Sequence, residues 1–359
     1  IDLGAMKRNW RALDKVSQGS LTAAVVKADA YGTGQARSGK AFYEAGARFF
    51  FVATPDEGVA LRASLPEDAH IFILDGLFPG AAPLYAGERL MPCLSSIPML
   101  EEWLAACLET GQALPAALHF DTGINRLGFR LNEAGTVKRM IDQIGYAPQM
   151  IMSHLACADI PGHEKTRTQL ALFSSVRAQF PNIPASLANS AGMMTLRETH
   201  FQLVRPGIAL YGGRAVAGRP NPMKPVVTLE MPILQVKSVP TGESVGYGAL
   251  QTLARDSRLA IVGIGYADGF FRSLSSSNQR GGTHVLIGGR KAPVIGRVSM
   301  DMIGVDVTDL PQIPAAGEMA QIIGPQISVD DHADVAGTIG YEILTSLKGR
   351  YSRDYVDGE

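Results

Sequence analysis

The chain has 359 residues, enough for two domains, and 46% of them are hydrophobic, so a large core is available. Its formal net charge of −1 argues against nucleic acid or an anionic membrane as the main partner. The three cysteines, Cys93, Cys107 and Cys157, show no metal spacing, and no signal peptide or spanning segment is visible. A reducing, cytoplasmic setting is therefore expected, with no metal and no membrane or nucleic-acid partner.

The first half of the chain alternates short apolar runs with helix-like stretches. The runs are Leu21–Lys27, Phe49–Thr54, His70–Asp75, Leu90–Ser95, Ala116–Asp121, Gln149–His154, Ala185–Ser190 and Leu203–Leu210. Helical periodicity is clearest over Gly34–Gly46, Ser96–Thr110 and His163–Phe180. Strands alternating with helices imply parallel pairing through right-handed crossovers, and eight such units match a (β/α)₈ TIM barrel. An open doubly wound sheet usually has fewer strands, and no dinucleotide-type glycine fingerprint follows the first run.

Near Gly212 the pattern changes. Gly213–Pro225 is rich in Gly, Pro and Arg and reads as a linker. Beyond it Val226–Val239, Arg258–Ile264, His284–Ile287, Ala292–Val298, Met302–Val307 and Met319–Ile323 are strand-like. Only Val329–Ala336 and Tyr341–Leu347 look helical there, and Ser273–Gly282 reads as a flexible loop. The expected division is a barrel over 1–225 and a mostly-β domain over 226–359, with residues 1–10 packing beside the second.

Barrel enzymes work at the carboxyl ends of their strands. Those ends carry Lys27, with Tyr31 in the following loop, then Asp121 with Arg126, then His154, then Asn189 and Ser190. The eighth strand is expected to begin at Arg205 and to contain Gly207. A lysine at a buried strand end is awkward, because its ammonium must reach water or lose its charge. A neutral lysine is a nucleophile that forms Schiff bases with carbonyl compounds. In isolation such a lysine more often reaches solvent with its stem on apolar surface. Likewise Gly207 alone reads as packing, and His154 alone as a satisfied strand-end histidine. Two features favour a phosphate instead. Ser190-Ala191-Gly192 follows the seventh run, and Gly207 lets backbone approach an anion closely. A Schiff-base lysine beside a phosphate cup suggests pyridoxal 5′-phosphate.

The block AVVKADAYGTG, carrying Lys27, resembles the cofactor-lysine motif of alanine racemases. HFDTGINRLGF, SHLACAD, ANSAG, RPGIALYG, VGYG, IGYADG, GRVSMD and the YE pair at Tyr341–Glu342 resemble further blocks of that family, in its order. The likeness covers essentially the whole chain. It implies a homodimer that racemises L- and D-alanine, supplying or consuming D-alanine, with each active site shared between subunits. Lys27 would be one base, and Tyr247 of the partner subunit the other. Tyr31, Ser190, Gly207, Ile208 and Tyr341 would bind the cofactor phosphate, and Arg205 would face its pyridine nitrogen. Arg126 and the backbone of Met300 would hold the substrate carboxylate. Tyr266, Arg272, Asp159 and Arg297 would line the substrate's way in.

Two bases on opposite faces of Cα invert it without turning the substrate over. A tyrosine is a poor base at neutral pH unless cations favour its phenolate, and His154 with Arg205 are the expected source. One departure is His119, where many family members carry a lysine. What balances Arg126 is left open among His119, Asp121 and a bound anion. Rival readings are a non-catalytic cofactor-binding barrel, a decarboxylase and a broad-specificity racemase. The first needs neither Tyr247 nor the β domain. The second calls for an acidic residue where Arg205 stands. Against the third, Tyr266 and Tyr341 are bulky and favour a small substrate.

Overall fold

Apolar runs without alternation become parallel strands when both of their faces are covered. That is the state of Phe50, Phe51, Ile71, Phe72 and Ile73, all fully buried, each side chain contributing about 1.5–3 kcal/mol. The computed structural model describes residues 1–347 and 349–358. The chain divides into Leu3–Lys224 on one side, and Ile1–Asp2 with Pro225–Gly358 on the other.

The first unit contains β1 (Leu21–Thr22), β2 (Ala24–Val25), β3 (Phe49–Val52), β4 (His70–Ile73), β5 (Leu90–Leu94), β6 (Ala117–His119), β7 (Met150–Met152), β8 (Ala185–Ser186) and β9 (Leu203–Val204). Strands β2 to β8 lie side by side in chain order, all parallel. β1 is separated from β2 only by Ala23 and pairs in parallel with β9, Leu21 opposite Leu203. A parallel bridge between Asn189 and Arg205 joins the last two segments. The eight apolar runs thus close on themselves as a (β/α)₈ barrel, β1 and β2 being halves of the first run.

Two expectations about this unit are corrected. The eighth run stops being a strand at Val204, not Leu210, because Pro206 has no N–H to donate and Ile208–Tyr211 forms a 3₁₀ turn. Arg205 therefore follows its strand, at the carboxyl end, instead of beginning it. Residues 3–10 belong to the first unit, not the second. They lie in the helix Leu3–Ser17, which buries Met6, Trp10 and Leu13 there.

The second unit holds β10 (Leu229–Val239), β11 (Ser244–Val245), β12 (Gln251–Thr252), β13 (Ser257–Val262), β14 (His284–Ile287), β15 (Arg290–Ile295), β16 (Ile303–Asp306) and β17 (Met319–Ile323). Six of these form a closed antiparallel barrel in the order β10-β13-β16-β15-β14-β17. β11 and β12 form a separate hairpin that composition did not reveal. The Ser273–Gly282 loop, expected to be flexible, is tied to that hairpin. Asn278 donates its backbone N–H to the Leu250 carbonyl at 3.0 Å, and its side-chain oxygen accepts from Thr252 N–H at 2.9 Å. Among the described residues no helix is long and apolar enough to cross a membrane, and no group of three His, Cys, Asp or Glu side chains is placed to hold a metal.

Candidate active site

The first strand gives way to an unusual turn. Ala28, Asp29, Ala30 and Tyr31 have φ values of 52°, 53°, 52° and 55°, a left-handed helical turn with no glycine in it. For L-residues this costs roughly 1–2 kcal/mol each, about 4–8 in all. Neighbouring contacts hold it. The Ala28 N–H donates to Glu57 Oε1 at 2.7 Å, and Asp29 Oδ1 accepts from Gln35 N–H at 2.8 Å. Thr33 donates its hydroxyl to the Ala30 carbonyl at 2.5 Å. Strain kept in place by surrounding structure is a mark of functional sites. Here it sets Lys27 at the barrel's carboxyl end. Burial, and then the Arg126 charge, push the Lys27 ammonium below its ordinary value, while Asp75 and Glu57 partly oppose them. A share of neutral amine, which a nucleophile or base requires, is favoured.

The other strand ends add positive charge with little negative charge to match. Arg205 is buried and donates to the Ser153 carbonyl at 2.6 Å and to Ser186 Oγ. Burial lowers its pKa to about 10, which leaves it charged at neutral pH. His154 is only half-buried by surface, yet desolvation, Arg205 and Arg126 hold it well below its ordinary value. That direction favours the neutral imidazole over the expected cation, and the positive charge acting on it comes from Arg205 and then Arg126. His119, on β6, is 5% exposed, and neither ring nitrogen has a hydrogen-bond partner. Burial, with Arg205 and Arg126, lowers it to about 4. A neutral imidazole brings no counter-charge to Arg126. Asp121 Oδ1 is engaged by the N–H groups of Gly123, Ile124 and Asn125 at 2.8, 3.0 and 3.1 Å.

A second cluster forms beside Lys27. Tyr31 stacks on Tyr211 with ring centroids 4.6 Å apart. A Cβ on Gly207 would lie 2.3 Å from the Tyr31 hydroxyl oxygen, so only glycine fits there. Ser190 Oγ accepts from the Gly207 N–H at 2.8 Å and sits at the start of the Ser190–Thr195 helix, which Asn189 caps. Ile208 follows at the head of the 3₁₀ turn. Hydroxyls and backbone N–H groups around a space kept open by glycine suit a phosphate. With an uncharged-leaning lysine next to them, they fit pyridoxal phosphate on donor chemistry alone.

In the second unit, Tyr247 is 71% exposed at the tip of the β11–β12 hairpin. Gly246 and Gly248 flank it at φ 76° and 79°, and a Cβ on either would approach Arg297, at 3.0 and 3.1 Å. The Met300 carbonyl accepts from the Ala267 N–H, and the Ser299 carbonyl from the Tyr266 N–H, both at 3.0 Å. Tyr247 and Arg297 are thus neighbours, as are Met300 and Tyr266. Arg272 opens a 3₁₀ turn and Tyr341 lies on the Gly340–Thr345 helix. Asp159, in the first unit, is exposed; its carbonyl accepts from Ala217 N–H at 2.8 Å. Two acids near Lys27 were missed from sequence. Asp75 ended an expected strand, and Glu57 stood in a visible Thr-Pro-Asp-Glu capping box.

Comparison with known proteins covers both units. A family model described as alanine racemase, N-terminal domain, matches residues 1–215, and one described as alanine racemase, C-terminal domain, matches 226–355. A protein named alanine racemase from Rhizobium meliloti (strain 1021) is 47% identical over 366 residues, spanning 100% of this chain and 96% of its own. In Agrobacterium fabrum (strain C58), a biosynthetic alanine racemase is 46% identical (99% of this chain, 93% of its own) and a catabolic one 44% (99% and 91%). The crystal structure of alanine racemase from Bartonella henselae with covalently bound pyridoxal phosphate superposes with a TM-score of 0.93 at 38% identity, covering 99% of this chain and 98% of that one.

Proposed function

The chain belongs to the alanine racemase family, and from that premise we propose how its residues divide the work of interconverting L- and D-alanine. Pyridoxal 5′-phosphate, when bound, supplies an electron sink for the charge left on Cα. Lys27 carries the cofactor and moves a proton at one face of Cα. Its depressed ammonium favours the neutral amine this requires. Tyr247 of the partner subunit moves the proton at the other face. In support, it stands exposed at a hairpin tip between two glycines, away from its own unit's core.

Tyr31, Ser190, Tyr341 and the backbone at Gly207 and Ile208 would hold the phosphate. Arg205 would meet the cofactor's pyridine nitrogen. A guanidinium only donates hydrogen bonds, so it would leave that nitrogen unprotonated and the sink weak, which would limit side reactions. Arg126 and the Met300 backbone bind the substrate carboxylate. Tyr266, Arg272, Asp159 and Arg297 line the way in. A homodimer in the cytoplasm completes the reading. The biosynthetic and catabolic relatives are almost equally similar. Enantiomers are isoenergetic, so supply and demand set the direction.

The observation that carries this reading is Lys27 on its strained turn, beside the Tyr31–Gly207 contact. Borohydride reduction followed by peptide mapping tests it, together with an amino-acid panel assayed for loss of optical rotation. The cofactor should map to Lys27, and alanine should turn over fastest. Labelling of a different lysine, or fast turnover of lysine or arginine but not alanine, would reject it.

A further inference from the structure

We propose that Glu57 is a positioning residue for Lys27, its carboxylate tying the backbone just past that lysine to the end of the neighbouring strand. This rests on the reading of Lys27 as the cofactor lysine and deepens it. Glu57 lies on the helix Pro55–Arg62 and completes a capping box with Thr54, whose Oγ1 accepts from the Glu57 N–H at 3.3 Å. A capping glutamate ordinarily serves its own helix. This one reaches further. Its Oε2 accepts from the Ala53 N–H at 2.7 Å, just beyond β3, while its Oε1 accepts from the Ala28 N–H at 2.7 Å.

Ala28 is the first residue of the left-handed turn. First-turn N–H groups have no partner within their own turn, and a carboxylate satisfies this one with a charge-assisted bond. The helix that carries Glu57 is itself held close. A Cβ on Gly58 would lie 2.6 Å from Ile73 Cδ1 and 3.1 Å from Leu90, so the helix sits directly on β4 and β5. Glu57 is thus fixed from behind, and the turn is fixed from Glu57. Its negative charge also acts on Lys27. The charged groups felt there are Arg126 from the loop after β6, Asp75 at the end of β4, and Glu57, with His154 kept neutral.

Two variants of the holoenzyme separate this role from helix capping. Glu57→Gln keeps the size but cannot accept from both Ala28 and Ala53. Thr54→Ala removes the other half of the capping box and leaves the Ala28 bond. In Glu57→Gln, kcat should fall about 100-fold, as expected for a reacting group misplaced by about an ångström, with KM within about twofold. The pH midpoint of the lysine–cofactor absorbance should move down by about half a unit or more, because a nearby negative charge is gone. Thr54→Ala should stay within about twofold in kcat with an unmoved midpoint. If Glu57→Gln folds poorly, Glu57→Asp serves in its place. It keeps the charge and the cap but is a methylene too short for Ala28, so kcat should fall while the midpoint stays near the parent's. Parent-like kcat in the Glu57 variants, or equal kcat losses and equal shifts in Thr54→Ala and Glu57→Gln, would overturn the proposal. Failure of the underlying reading shows separately, as cofactor mapped to another lysine in the unmutated enzyme.

Discussion

The two units surround their functional side chains in opposite ways. At the barrel mouth Lys27, His119, His154 and Arg205 are all shifted mainly by burial, and the charge of Arg126 adds to the shift of the first three. In the second unit Tyr247, Met300 and Tyr266 are 71%, 54% and 43% exposed. The barrel sets its chemistry internally, by removing water from cations and keeping histidines neutral. The second unit leaves its groups exposed, Tyr247 on a turn flanked by two glycines. A tyrosine exposed in this way is open to a second copy of the chain, as the proposed shared site requires.

The contrast breaks most easily at Tyr247. Replacement by Phe removes one hydroxyl from an exposed residue and should leave stability unchanged within about 0.5 kcal/mol. Racemisation should nevertheless fall by roughly 10²–10⁴-fold, the usual contribution of a positioned acid–base group. Exchange of the Cα proton with deuterated water should persist for one enantiomer, through Lys27. Undiminished racemisation would remove Tyr247 from the mechanism and with it the need for a shared site.

Arg205 tests the buried side of the contrast. Arg205→Glu should release pyruvate, up to one per active site as the amino group passes to the cofactor, because an acid at the position proposed to meet the pyridine nitrogen would strengthen the electron sink and open transamination. It also leaves the Ser153 carbonyl without its 2.6 Å donor, at a cost of about 1–3 kcal/mol. Wild-type pyruvate levels, followed by a coupled dehydrogenase assay, would show that the guanidinium does not control side reactions.

Gly207 and Gly263 sharpen the same comparison. Gly207→Ala drives a methyl to within 2.3 Å of the Tyr31 hydroxyl oxygen, an overpacking that costs about 1–3 kcal/mol and should weaken cofactor binding on the order of tenfold in a fluorescence titration. Gly263→Ala, in the second unit, meets Leu234 at 3.4–3.6 Å, ordinary contact, and should bind cofactor as the parent does. Equal affinities would mean that the Tyr31–Gly207 contact is not part of the phosphate site.

Much of this was legible because buried parallel strands announce themselves as unbroken apolar runs, and a barrel's working face is the set of their carboxyl ends. That logic found Lys27, Arg126, His154 and Ser190. It failed where the cause was not local. Ala28–Tyr31 contain no glycine, so nothing in their types signals positive φ. The turn is imposed by Glu57, Gln35 and Thr33. The hairpin beneath Tyr247 has strands of two residues each, too short for periodicity to register. His154 was read as a cation because residue type says nothing about desolvation. Arg205 was placed at the wrong end of its strand because Pro206-Gly207-Ile208 looked apolar enough to continue it.

The smallest effect concerns His119 and asks whether burial and the two arginines keep this histidine uncharged. The folded protein holds this imidazole at about 4, against an ordinary value of 6.5. As pH falls through that window the unfolded chain takes up a proton that the folded chain refuses. Stability is therefore complete above about pH 6.5 and is lost as the pH drops toward 4. The linkage amounts to about 2 kcal/mol by pH 5. His119→Asn removes the titration, so the difference in urea unfolding free energy between pH 7 and pH 5 should shrink by about that amount. His154 and the second unit's His332 still contribute to the remaining slope, since both are also held below their ordinary values. An unchanged slope would mean that His119 accepts its proton inside the fold. Asp121, the one opposing charge that acts on it, would then have to outweigh burial and two arginines, and the mouth would be less cation-dominated than its geometry indicates.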